Sequence, residues 1–194
     1  MKKMQELLDG KMKDDTKPLR GDWYKEEEFY TNEAPDVSWA LVSKEVVPDS
    51  PSKNYLEQTQ VLVDYLKNEV FKDVEMPAEY VEAIEEFETE KAEISAIVSS
   101  STESEWKEAA QRLEALKINQ LTRRSPAETM YDLMVCYQQT GKKQLPDIYS
   151  WTKRRSSGGF LVCVGYFGSD GVAVYGLWPG SSPSSLGVSF SRSQ

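Results

Sequence analysis

Residues Ser156–Gln194 read SSGGFLVCVGYFGSDGVAVYGLWPGSSPSSLGVSFSRSQ, and this stretch decides the fold. Eight of the chain's 11 glycines fall between Gly158 and Gly187, and no Glu occurs from Trp151 onward, although Glu is abundant before it. Three β-type runs alternate with turn residues: Leu161–Phe167, Val172–Trp178 and Leu186–Ser191. Side chains alternate faces along a strand. Val162, Val164, Val172, Val174, Val188 and Phe190 therefore line one side, and Cys163, Ala173 and Tyr175 point away from it. Ser169-Asp170-Gly171 is a tight turn between the first two runs. WPGSSPSS (Trp178 to Ser185) is a loop, because a good strand follows it. The pattern describes a few strands carrying replaceable side chains, and it argues for a binding face over a catalytic centre.

Helices fill the chain upstream. Tyr55 to Phe71 repeats Leu56, Val63 and Val70 at heptad spacing with Leu62 and Leu66 beside them. Pro77 opens a second helix with an apolar face of Tyr80, Ile84 and Phe87, continued by Ile94 and Ile97; its other face is almost all Glu, a solvated surface. Thr102 and Glu105 predict a capping box for a third helix carrying Trp106, Ala110, Leu113 and Leu116. Ser125-Pro126-Ala127-Glu128 combines N-cap, N1 proline and N3 glutamate, and starts a fourth helix with Met130, Leu133, Met134 and Tyr137 inward and Gly141 at its end. Before these, Asp36–Val47 (DVSWALVSKEVV) reads as a strand. The fold class is α+β, with helices between an N-terminal strand and a C-terminal antiparallel sheet. Residues 1–35 read as a polar segment with a short helix over Met4 to Met12 and irregular structure around Arg20-Gly21-Asp22. The domain then spans 36–194, its helical part 52–141 and its β/loop region 156–194.

Composition narrows the chemistry. The 194 residues carry a net charge of −9. The segment from Trp151 is net basic and the rest strongly acidic, so a nucleic-acid footprint is not expected. Lys153-Arg154-Arg155 reads as a solvated strand edge. No run approaches the roughly 20 apolar residues of a membrane helix, and the first residues lack a signal-peptide pattern. A cytoplasmic location is the default expectation, with cell-surface display through a partner as the other route. The chain has no histidine, so Ser/His and Cys/His mechanisms are excluded. Cys136 and Cys163 form neither a metal motif nor a disulfide framework, and a reducing compartment fits them. Asp170 is the only acid after Trp151, so no paired carboxylates form there. Gly158-Gly159 lacks the rest of a dinucleotide fingerprint. No enzyme activity, cofactor or metal is expected. Phe160, Cys163, Tyr166, Ala173, Tyr175, Gly176, Leu177 and the Ser/Pro loop come together as a face if the strands pair, and Tyr, Ser and Gly dominate adaptable binding surfaces.

The segments LTRRSPAETMYDLM (Leu121 to Met134), LPDIYSWTKRRSSGG (Leu145 to Gly159), VGYFGSDGV (Val164 to Val172) and SLGVSFSR (Ser185 to Arg192) resemble the variable proteins of diversity-generating retroelements, in particular those of nanoarchaea and related uncultivated microbes. The resemblance runs from about Arg20 to the C-terminus. It implies a C-type lectin-like fold with a variable face on the late strands and loops. It also implies that an error-prone reverse transcriptase rewrites adenines of a template copy, chiefly in Asn codons. Such codons changed at adenines yield Phe, Cys, Tyr, Ala, Gly, Leu, Ser and Pro among others, but not Glu, Gln, Lys, Met or Trp. Between Ser156 and Ser191 there is no Glu, Gln, Lys or Met; Trp178 is the exception. The implied diversified positions are Phe160, Cys163, Tyr166, Ala173, Tyr175, Gly176, Leu177, Ser181, Ser182, Pro183 and Ser184. Val162, Val164, Val172, Val174, Leu186, Val188 and Phe190 are the implied scaffold. The implied partner is an unidentified ligand, a protein or cell-surface molecule. Lectin-type calcium binding is not expected, because the carboxylates it needs are missing. The alternative is an acidic helical interaction protein with a small β cap.

Overall fold

The computed structural model describes residues 1–35 and 39–193. Of the predicted strand at Asp36–Val47, residues 36–38 lie outside the described residues, and only β2 (Ala40–Val42) is strand; the expectation fails over Ser43–Val47, where the chain bends at Lys44-Glu45. The helices form where caps and apolar spacing place them. α3 (Tyr55–Tyr65) begins at a reciprocal box, in which the Asn54 side chain accepts from the Glu57 N–H and the Glu57 carboxylate accepts from the Asn54 N–H. It runs into a π-helical turn over Leu66–Val70. α4 (Ala78–Val98) follows Pro77. α5 (Glu103–Ala115) starts at Thr102, but without the expected box. The Ser100 hydroxyl accepts from the Thr102 N–H and donates to Glu105, because the chain enters this helix through a bend at Ser101-Thr102. A short α6 (Lys117–Thr122), which the sequence did not announce, turns the chain into α7 (Pro126–Thr140). α7 has both halves of its capping box and ends at Gly141, whose φ of 73° is the left-handed conformation glycine adopts freely.

The sheet is built mainly from the C-terminal stretch. β3 (Tyr149–Arg155), β4 (Leu161–Gly168) and β5 (Gly171–Leu177) form an antiparallel meander. β1 (Leu19–Arg20) adds in parallel outside β5, and β6 (Leu186–Gly187) adds in parallel outside β3. The order is β1-β5-β4-β3-β6. The predicted strand Leu186–Ser191 splits in two: β6 stays at the edge of the large sheet beside β3, and β7 (Ser191–Ser193) pairs antiparallel with β2. Between them the backbone bonds to the segment after β2. Val47 N–H donates to Val188 O, Ser43 N–H to Phe190 O, and the Ser50 and Ser43 hydroxyls accept from Val188 and Phe190 N–H.

Both faces of the sheet are covered. Leu161, Cys163, Trp151 and Leu186 pack into one core with α3, α4, α5 and α6, including Leu62, Phe87, Ile94 and Leu113. Val162, Val164, Val172, Val174 and Phe167 pack into a second core with α7 and the N-terminal segment. The expected face is therefore correct for Val162, Val164, Val172 and Val174, but Val188 and Phe190 pack into the first core instead, because the chain leaves the large sheet after Gly187 and bonds to the segment after β2; nor is the opposite face open along its length. Residues 1–35 are not a separate polar segment: Met1, Met12, Leu19, Tyr24, Phe29 and Tyr30 are buried in the second core. Short helices α1 (Lys2–Leu8) and α2 (Glu28–Thr31) and two 3-10 turns carry them. Gly21, at a φ of 83°, makes the turn in Arg20-Gly21-Asp22, and the Tyr24 hydroxyl donates to the Arg20 and Gly21 carbonyls. No helix among the described residues is long and apolar enough to cross a membrane.

A buried cation ties α3 to α6 and β3. Arg123, only 1% exposed, lies with its guanidinium carbon 3.8 Å from the centre of the Tyr55 ring. Its Nε donates to Asn119 Oδ1, and one terminal nitrogen donates to Tyr55 O and Thr59 Oγ1. The Tyr55 ring also meets Trp151 edge-on at 5.3 Å, and its hydroxyl donates to Thr152 O. Burial lowers the pKa of Arg123 to about 10 and raises those of Tyr55 and Tyr24 to about 12.

These shifts act in opposite directions at high pH. Each tyrosine has a folded-state pKa above its ordinary value of 10, so its contribution is whole below pH 10 and is lost as pH rises towards 12. Arg123 has a depressed folded-state pKa, so the cost of burying its charge is relieved as pH rises above about 10. In urea unfolding followed against pH, an Arg123→Met variant should lose stability more steeply between pH 10 and 12 than the parent. Equal slopes would show that Arg123 is solvated.

Candidate functional site

The hairpin from β4 to β5 positions the candidate face. Gly168 pairs with Gly171 across the two-residue loop Ser169-Asp170, as the turn residues indicated. Just before it, Tyr166 and Phe167 oppose the single residue Val172, a bulge between the pairs Gly165–Ala173 and Gly168–Gly171. Tyr166 takes a φ of 46°, a left-handed conformation that costs an aromatic residue about 1 kcal/mol or more. Its N–H donates to Ile148 O, and the Phe167 N–H donates to Leu145 O.

The bulge decides which way the side chains point. Phe167 joins Val164 in the second core, while Tyr166 turns to the other side. There its ring lies 4.7 Å from that of Tyr149, and Tyr149 lies 6.3 Å from Tyr175. Tyr175 is 53% exposed and Tyr166 half-buried. Arg20, on the neighbouring β1, donates from Nη1 to Asp170 Oδ2 at 3.1 Å. Burial raises the pKa of Tyr149, and the nearby Arg20 guanidinium opposes that rise. Three phenols and one arginine thus form a ledge at the open end of the sheet. Gly165 lies under it. A Cβ there would sit 2.2 Å from Ile148 O and 2.8 Å from Tyr149 Cα, so the approach of β3 requires glycine.

A second patch forms around Phe160. Its Cβ lies 3.1 Å from where a side chain on Gly176 would start, and the Trp23 ring lies 3.6 Å from the same point. Trp106 stacks on Phe160 at 4.9 Å. The Trp23 indole donates to Val174 O at 2.8 Å, occupying the edge of β5 where β1 has ended. The Ser/Pro loop joins the first patch. Pro179 O accepts from Tyr55 N–H, Leu186 N–H donates to Pro183 O, and Tyr149 N–H donates to Ser185 O. Ser182, Pro183 and Ser184 are exposed and Ser181 half-buried between these anchors. Trp178 covers Gly180 at the start of the loop.

Two of the expected face residues are interior. Cys163 is fully buried, because α3 to α6 cover the sheet face it points to. Its thiol donates to Tyr175 O, and burial pushes its pKa far up, which makes it unreactive. Ala173 is 4% exposed, held between β1 and β4. Leu177 is half-buried against the first core. Phe160, Tyr166, Tyr175, Gly176, Ser181, Ser182, Pro183 and Ser184 do reach solvent. Tyr149, Arg20, Trp23 and Trp106 were not foreseen. Tyr149 shares its face of β3 with the buried Trp151 two residues on, so alternation alone marked it as interior, and the other three come from distant segments that nothing in the sequence links to the hairpin.

The Lys153-Arg154-Arg155 run is paired, not merely solvated. It forms ion pairs with Glu128, Glu33 and Glu114, joining β3 to α7, the N-terminal segment and α5. The last two pairs line a cleft of about 730 Å3 that also holds Glu26, Glu27 and Glu28. There Glu27 accepts from the Ser157 N–H and hydroxyl.

No protein-family model, curated protein or solved structure matches the chain.

If Gly165 supports the ledge by close approach, Gly165→Ala should destabilise the protein by about 1–3 kcal/mol. In the same variant, the fluorescence and circular dichroism of the tyrosine cluster should change before unfolding. An unchanged melting temperature would refute the close packing.

Proposed function

We propose that this chain is a ligand-binding protein with a C-type lectin-like frame and a C-terminal face that is diversified while the frame stays fixed, as in the variable proteins of diversity-generating retroelements. One observation carries the reading: buried and open positions separate along the hairpin. Val162, Val164, Val172 and Val174 are buried in the second core, whereas Tyr175, Gly176, Phe160 and residues 181–184 reach solvent. Strands β2 and β7, near the two ends of the domain, pair antiparallel, with helices between them and a meander beside them; this arrangement supports the lectin-like frame. The open positions are of residue types that an adenine-edited Asn codon yields.

The physical device is a division of labour. A fully buried Val or Leu contributes about 1.5–3 kcal/mol, and the ladder hydrogen bonds are independent of side-chain identity. Exposed residues change within about ±0.5 kcal/mol. Cys163 and Ala173 belong with the scaffold on this reading, because only small apolar side chains fit their buried sites.

Val174→Asp places a charge in the second core and should abolish folding. Tyr175→Ser should leave the melting temperature nearly unchanged, and equal destabilisation by both would refute the division. Deep sequencing of the gene across its source population tests diversification directly. Changes should concentrate at Phe160, Tyr166, Tyr175–Leu177 and Ser181–Ser184 and spare Val162, Val172 and Val188. Changes spread evenly along the chain would favour the acidic helical interaction protein instead.

A further inference from the structure

We propose that Phe160 and Gly176 determine specificity at the Phe160 end of the face as one unit. Contacts run from Trp23 past Gly176 to Phe160 and on to Trp106, and that stretch has room for one large side chain, supplied by position 160 or by position 176 but not by both. This rests on the reading of the C-terminal face as a diversified ligand surface.

The first support is distance. Gly176 pairs with Val162, and Phe160 stands two residues before Val162, so the two positions are diagonal neighbours on one side of the sheet. Diagonal side chains usually start roughly 7 Å apart. Here a Cβ on Gly176 would lie 3.1 Å from Phe160 Cβ, 3.8 Å from Phe160 Cγ and 3.6 Å from Trp23 Cη2. Carbon atoms rest against each other at about 3.5–4.0 Å. The first carbon therefore fills the gap, and a larger side chain presses on both neighbours. Phe160 occupies the place that a side chain at 176 would take.

The second support is that the neighbours are held. The Trp23 indole donates to Val174 O at 2.8 Å, and its ring meets Tyr24 and Phe29 edge-on. Phe160 stacks on Trp106 at 4.9 Å, and its carbonyl accepts from Ser156 N–H across the turn. Gly159 keeps that turn in place: its φ is 89°, and the Lys107 stem lies 3.0 Å from where a Cβ would start. Trp23 and Trp106 belong to the N-terminal segment and α5, outside the diversified stretch, so the two indoles stay constant while the side chain near them changes. Large residues at both positions overpack the stretch, and small residues at both uncover the Trp106 ring. A ligand at this end meets one variable side chain and two constant indoles, and the position that supplies the side chain sets where it stands.

The test is a double-mutant cycle on the full chain, read by urea unfolding. Gly176→Phe alone should lower the folded-to-unfolded ratio about tenfold or more, as overpacking does. Phe160→Ala alone should lower it severalfold, through loss of the stack on Trp106. The double variant Phe160→Ala/Gly176→Phe should regain most of what Gly176→Phe loses. Losses that add, or a double variant no more stable than Gly176→Phe, would overturn the proposal. If Gly176→Phe does not fold, a folded double variant supports the coupling and an unfolded one refutes it. The cycle stands whether or not the gene is diversified. Across sequenced variants of the gene, a large residue should appear at 160 or at 176 and not at both. Large residues at both would sink the coupling and leave the diversified face standing. Invariance at both positions would count against the diversified face, and the cycle alone would then decide the coupling.

Discussion

A guanidinium without a carboxylate partner holds the middle of this protein. Arg123 stacks on Tyr55 and donates only to neutral oxygens, from Asn119, Thr59 and the Tyr55 backbone. Burying a charge in this way is costly unless each contact is well made. The cost is offset in part by a ring face at van der Waals distance and by hydrogen bonds to three residues, while the Nη1 group stays buried without a partner among the described residues. The same Tyr55 reaches β3 through its hydroxyl and Trp151 through its edge, and its N–H holds Pro179 of the Ser/Pro loop. One side chain pair therefore fixes where α3 and α6 sit against the sheet, and where the loop beside the ledge begins.

The sheet's two covered faces set what the exposed face can be. A strand buried on both sides has no free position, so only the ends of the strands and the turns can vary without disturbing a core. The Val-rich middle of β4 and β5 belongs to the two cores. What remains is the end where β1 stops after Arg20 and Tyr149 and Tyr175 are only partly covered, together with the turn at Phe160. The ion pairs of Lys153, Arg154 and Arg155 hold the far part of β3 against three other elements. They give the basic run of the sequence a framework role.

How much of this was legible depended on whether the determining contact was local. The box at Ser125, the stop at Gly141 and the turn at Ser169–Gly171 are interactions within a few residues, and each reads correctly from the sequence. The alternation of Val162 and Val164 against Cys163 was also legible, since it follows from strand geometry. What covers Cys163 was not, because the cover comes from helices about 50 to 100 residues away. The break between β6 and β7 was hidden for the same reason: it is made by Ser43, Val47 and Ser50. Trp23 and Trp106 reach the Phe160 patch from segments whose own sequence shows only aromatics among charges. At Thr102 the local rule itself misled, since Thr102 sits in the bend and the Ser100 hydroxyl, just before it, bridges the Thr102 N–H to Glu105 instead.

The bulge at Tyr166 shows how one extra residue turns a framework strand into a surface. Plain alternation from Val162 and Val164 would send residue 166 into the second core and residue 167 to the other face. With Tyr166 and Phe167 both opposite Val172, the count slips by one. Phe167 fills the core beside Tyr137, edge-on at 5.2 Å, and Tyr166 is released towards Tyr149. The slip needs a left-handed residue, and it needs Gly165 so that β3 can come close enough to present Tyr149. A glycine or asparagine at 166 would relieve the backbone but leave the ledge without its central ring. The strain at this position and the solvent exposure of its neighbours are therefore two consequences of the same register slip, and both follow from carrying an aromatic side chain where the fold alone would favour none.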